Sequence, residues 1–121
     1  MSVFLHAYPP EFIFAEKLLA IISKGKINTR MKDFHDLTLM IQNTRLLKVS
    51  QLKKTIKQVF KHKGMKKQFS IKFSQSDYEH FEKHWEQYRE KNRLTIKETN
   101  LPKKFKKVVS DLNAFLLKHI K

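Results

Sequence analysis

Apolar residues recur along this chain at helical rather than strand intervals. Met31, Phe34, Leu37, Met40 and Ile41 return every three or four residues, as do Leu52, Ile56, Val59 and Phe60. Tyr78, Phe81, Trp85 and Tyr88 form a third set, and Phe105, Val108, Val109, Leu112, Phe115, Leu116 and Ile120 a fourth. Such spacing puts each set on one face of a helix. Pro9-Pro10 suits a first helical turn, where the missing N–H has no partner to lose. Helices are predicted over about 11–23, 30–42, 50–62 and 76–93, with a last one opened by Leu101-Pro102. Asn28 or Thr29, Ser50, and Ser74 or Ser76 are the expected N-caps. Gly25, Asn43 and Gly64 are the expected stops. Residues 2–8 have room for a short extended lead-in. Phe69, Ile71 and Phe73 alternate, so 69–73 reads either as a short strand or as a loop pinned by buried aromatics. The expected architecture is all-α, a compact bundle of about five helices forming one domain over 1–121.

The first helix is apolar around nearly its whole circumference, which places it at the centre of the bundle. Phe81 and Trp85 are expected in the core rather than on a base-stacking platform. Two polar groups break this pattern. Glu16-Lys17 interrupts the first helix, and Arg30, Lys32, Asp33 and Asp36 cluster at the start of the second. Asp33 and Asp36 are three apart and face the same way, and Lys17 is within reach of them across the helix pair. One reading is a salt-bridge network, Glu16 to Arg30 and Lys17 to Asp36, that locks two helices together. The other is a site in which lysine meets phosphate oxygens while a carboxylate holds Mg²⁺ or orients a nucleophile. The residues by themselves leave both open.

Composition narrows the classes. Only 2 glycines and 3 prolines argue against a hairpin-rich β-protein. The absence of cysteine excludes a disulfide scaffold, a thiol nucleophile and Cys-based zinc sites. No window approaches the roughly 18 apolar residues of a membrane span, and residues 1–6 lack a basic signal-peptide start. A cytoplasmic protein with no membrane partner is expected. The six histidines are scattered. His80 and His84 are four apart but lack a third ligand, so no metal site of the chain's own is expected. There is no Gly-rich phosphate loop and no Ser/His/Asp arrangement.

Charge adds a partner class. The formal net charge is +15, which attracts polyanions, above all nucleic acid. Between Asp36 and Asp77 there is no acidic residue. Lys53, Lys57 and Lys61 are four apart within that gap, and like charges at this spacing oppose helix formation. With Lys66 and Lys67 they make a candidate phosphate-tracking surface, the alternative being an ordinary solvated face. Lys103, Lys104, Lys106 and Lys107 form a second run at the last helix. Neither run carries a base-reading motif, so binding there would be backbone-driven and salt-sensitive.

Tyr8-Pro9-Pro10-Glu11, Ala15-Glu16-Lys17-Leu18-Leu19-Ala20 and Arg30-Met31-Lys32-Asp33-Phe34-His35-Asp36-Leu37 occur in that order. These blocks resemble the nucleotidyltransferase toxins of the AbiEii/AbiGii type, in which an A-E-K-L helix precedes an R-x-K-D-x-x-D-L helix. The resemblance implies the helical C-terminal region of such an enzyme, from a toxin–antitoxin or abortive-infection system. It implies Lys17 and Asp36 as catalytic residues, with Lys17, Arg30, Lys32 and Asp33 binding nucleotide. It implies Mg²⁺ and a nucleoside triphosphate as cofactors of a complete enzyme, with Asp36 as a metal ligand there. A tRNA acceptor and a co-encoded antitoxin protein are the implied partners. The family's Gly-Gly/Ser and D-x-D motif, whose aspartates bind the catalytic metals, has no counterpart here. The expectation is therefore an inactive truncated product, split-gene half or domain that needs an N-terminal nucleotidyltransferase half. A free-standing basic RNA- or DNA-binding module, or a non-catalytic remnant, is the alternative.

Overall fold

The computed structural model describes residues 9–24, 31–64, 71–93 and 101–120. Among them are five α-helices: α1 (Pro10–Lys24), α2 (Met31–Gln42), α3 (Val49–His62), α4 (Gln75–Lys91) and α5 (Phe105–His119). A 3-10 turn, Thr44–Leu46, joins α2 to α3. The fold is all-α, as the apolar spacing predicts. The extended lead-in at 2–8, the caps Gly25, Asn28 and Thr29, and residues 69 and 70 lie outside the described residues. Of the 69–73 stretch, 71–73 is irregular. Its place is held by one side chain: Ile71 N–H donates to Asn113 Oδ1 at 2.7 Å, and Asn113 Nδ2 donates to Ile71 O at 2.9 Å. The α5 carboxamide thus offers the backbone what a neighbouring strand would. No helix among the described residues is long and apolar enough to cross a membrane.

α1 packs on α3 and on α2, while α5 packs on α2 and α4. α2 therefore stands between an α1/α3 pair and an α4/α5 pair. Phe14, Ala15, Leu18 and Ile21 of α1 are fully buried, as its all-round apolarity predicts. Phe34, Phe81, Trp85 and Phe105 are also sealed from solvent. Phe105 lies 4.8 Å from the Phe34 ring and 5.0 Å from the Phe81 ring, centroid to centroid. Burying each such side chain contributes roughly 1.5–3 kcal/mol. Phe81 and Trp85 are thus core residues, not a stacking platform.

Two helix starts differ from expectation for the same reason. α3 begins at Val49 with Lys48, not Ser50, at the N-cap, and no side chain of its own caps it. Glu11 of α1 does so instead, its Oε2 accepting Lys48 N–H at 2.9 Å while 6% exposed. α5 begins at Phe105, not at Leu101, and Lys104 likewise offers no cap. Glu82 of α4 accepts Phe105 N–H there, and Trp85 Nε1 donates to Pro102 O at 3.0 Å. A carboxylate suits a helix N-terminus because the unpaired N–H groups and the dipole both attract it. α4 does follow the local rule, with Ser74 Oγ accepting Asp77 N–H.

Candidate functional site

The polar residues of α1 and α2 meet at the junction of those helices. Asp33 and Asp36 sit in the first turns of α2, and Lys17 reaches them from the middle of α1. Lys17 Nζ lies 2.9 Å from Asp36 Oδ2 and 3.5 Å from Asp33 Oδ1. Lys32, one turn before Asp36, approaches the same carboxylate at 3.1 Å. The side chains of Lys17 and Asp36 are 24% and 23% exposed, whereas Asp33 is 6% exposed. The ammonium and the Asp36 carboxylate therefore stand at an open edge, with Asp33 beneath them.

Burial pushes the Asp36 carboxyl up, but hydrogen bonds from Lys17 and Lys32 and their charges outweigh it. Asp36 is held below the ordinary carboxylate value and is ionised at neutral pH. Among the described residues, Lys17 and Lys32 face Asp33 and Asp36 there. Among the described residues no group of three or more His, Asp or Glu side chains has the arrangement to hold a metal ion. Asp33 and Asp36, both turned to Lys17, do not fit a metal site by themselves.

A residue not singled out from the sequence adjoins this cluster. His35 is 8% exposed, and its Nδ1 lies 2.6 Å from the Tyr88 hydroxyl of α4. Its Nε2 is buried without a hydrogen-bond partner. Burial lowers the His35 pKa, the Asp36 charge raises it and Lys32 lowers it, with a net lowering that leaves the ring neutral at pH 7. Tyr88 titrates above its ordinary value through burial and the nearby Asp36. The available signal was positional, since His35 lies between Phe34 and the buried Thr38 on the inward side of α2.

The lysine surface is separate. Lys53 and Lys61 of α3 are exposed and Lys57 is half-buried. Arg30, Lys66 and Lys67 lie outside the described residues, as does any Glu16–Arg30 pair. The structure thus brings Lys17, Lys32, Asp33 and Asp36 together and keeps Lys53, Lys57 and Lys61 on another helix.

No curated protein and no solved structure matches the chain. A family model described as nucleotidyl transferase AbiEii toxin, type IV toxin–antitoxin system, matches residues 2–111. That match spans both polar blocks and four of the five helices completely, and with A-E-K-L on α1 meeting K-D-x-x-D on α2, the chain belongs to the AbiEii nucleotidyl transferase toxin family.

Proposed function

We propose that the α1–α2 junction is one side of a nucleotidyltransferase site. Lys17 meets the phosphate oxygens of a nucleoside triphosphate, Asp36 is the catalytic carboxylate, and Asp33, Lys32 and Arg30 support them. The observation that carries this reading is the exposure of Lys17 and Asp36 at the open edge of the cluster. A sealed ion pair cannot exchange a partner without leaving a buried charge uncompensated, whereas a pair at an open edge stays accessible to a ligand. Here an incoming phosphate can take the place of one carboxylate at Lys17. Mg²⁺, the metal this chemistry uses to neutralise phosphate charge, needs carboxylates beyond those the described residues bring together. In this reading the chain works with a metal-binding half, as part of a toxin opposed by an antitoxin protein. In the complete enzyme Asp36 contributes to that metal centre.

The acceptor in this reading is RNA, tRNA above all, held by Lys53, Lys57, Lys61, Lys66 and Lys67. The +15 charge and the acid-free stretch between Asp36 and Asp77 favour it. The same lysines favour a second reading, a free-standing RNA- or DNA-binding helical module without catalysis. Transfer of a labelled nucleotide to tRNA separates the two. The chain is assayed alone and mixed with the protein encoded directly upstream. Transfer in the mixture only supports the enzyme reading; RNA binding without transfer in either supports the module.

A further inference from the structure

Charge is unevenly spread over the helices. α3 carries four lysines and no acidic residue, whereas α4 holds five of the chain's 11 acidic residues against three basic ones. A cation is therefore repelled along α3 and drawn to α4. On α4 stand His80 and His84, four residues apart and so on one face. Their ring centroids are 4.5 Å apart, with the planes at 70°. His80 is exposed and His84 is half-buried. Among the described residues neither imidazole is held by a hydrogen bond or an ion pair. Asp77, three residues before His80, shares their side of the helix and adds negative charge. Lys83 adds positive charge, but it is exposed and can turn its ammonium to water.

We propose that His80 and His84 form a two-imidazole clamp for a transition-metal dication of the nickel, copper or zinc class. Imidazole nitrogen is a ligand these ions share, and two histidines one turn apart on a helix are a recurring way to hold one. The size of the ring and a metal–nitrogen distance of about 2.0–2.1 Å put two centroids about 4.5–5 Å apart around one ion. The rings of α4 already stand at that spacing, so binding needs little rearrangement. The sequence offers no third ligand, and no third His, Asp or Glu joins the pair among the described residues. The clamp is therefore open on one side, unlike a closed four-ligand structural site. It has no hydrolytic role. The glutamate that follows the first histidine in helical zinc proteases is replaced here by the core residue Phe81, and Glu82 caps α5. Mg²⁺ takes oxygen ligands and does not suit the pair, so the proposal is independent of the nucleotide reading. The bound ion ties two successive turns of α4 together and stabilises the folded chain.

The test is isothermal titration calorimetry of the chelator-treated full chain with nickel, copper, zinc and magnesium chlorides at neutral pH. A single Ni²⁺ should bind, and Cu²⁺ should bind more tightly than Ni²⁺ or Zn²⁺, the order that nitrogen ligands impose. Mg²⁺ should give no binding isotherm. His80→Gln and His84→Gln should each weaken Ni²⁺ binding by at least about 10-fold, since even the outer partners of a metal ligand are worth roughly 10–100-fold. Circular dichroism checks that both variants fold. His80→Gln decides the matter if His84→Gln unfolds, because His80 is exposed. Saturating Ni²⁺ should raise the Tm of the native chain and leave that of His80→Gln unchanged. Unchanged Ni²⁺ affinity in His80→Gln would place the ion elsewhere and overturn the clamp. So would the absence of a Ni²⁺ isotherm in the native chain, or equal binding of Mg²⁺.

Discussion

Replacing Lys17 with methionine removes one ammonium and keeps the aliphatic stem. The structure sets the size of the effect. Lys17 Nζ lies 2.9 Å from Asp36 and 3.5 Å from Asp33. Opposite charges about 4 Å apart attract by roughly 4 kcal/mol near a protein surface and by roughly 1 kcal/mol in water. At about a quarter exposure the pair lies between these limits, and desolvation and side-chain ordering offset part of the attraction. Lys32 also keeps Asp36 paired after the change. Lys17→Met should therefore cost about 1–2 kcal/mol, or about 4–8 °C in Tm for a chain of this size. Urea unfolding of the native chain, Lys17→Met, Asp36→Asn and the double variant gives the coupling, expected at about 1 kcal/mol. A loss of about 3–5 kcal/mol would identify a sealed structural lock and refute the open-edge argument. A loss and coupling both near zero would refute the ion pair.

Three further outcomes follow from other contacts. Asn113→Ala removes two hydrogen bonds to Ile71 and should cost about 2 kcal/mol in urea unfolding; Asn113→Asp should cost more at neutral pH, because a carboxylate oxygen then faces Ile71 O. Stability should be flat between about pH 7 and 9 and fall below about pH 6.5, the ordinary histidine value, because the unfolded chain takes up a proton that buried His35 resists. A second fall should come below about pH 4 as Asp36, held low by Lys17 and Lys32, is protonated; His35→Phe should erase the first fall and keep the second, and a first fall that persists would exclude His35 as its source. Changing Lys53, Lys57 and Lys61 together to glutamine should weaken RNA binding and make the log–log salt dependence shallower by about 2–3, and an unchanged slope would place the RNA elsewhere.

Much of the fold is legible along the chain because apolar spacing and burial are local signals. The stripe Tyr78, Phe81, Trp85 and Tyr88 indicates the inward side of α4, and the apolarity of α1 indicates its burial, although α2 rather than α1 takes the central place between the two helix pairs. The helix starts are less legible. Ser50 is a good N-cap by type, yet Glu11 does that work from 37 residues away. Leu101-Pro102 reads as a helix opening, yet Trp85 and Glu82 hold the chain non-helical up to Phe105. No local rule contains those partners. The meeting of Lys17 with Asp33 and Asp36 is legible as spacing and charge, because three-residue steps put both carboxylates on one face. Their degree of exposure is not, since it depends on how α4 and α5 pack behind α2. His35 shows the same limit: its burial follows from Tyr88, 53 residues further on.

The central claim is that Lys17 and Asp36 form one side of a nucleotide site. Its most direct measurement is labelled-nucleotide transfer to tRNA by the chain mixed with the protein encoded directly upstream, comparing the native chain with Lys17→Met and Asp36→Asn. The account predicts transfer in the native mixture, none by the chain alone, and a fall of about 100-fold or more in each variant while both stay folded. Full transfer by the Lys17→Met mixture would contradict it.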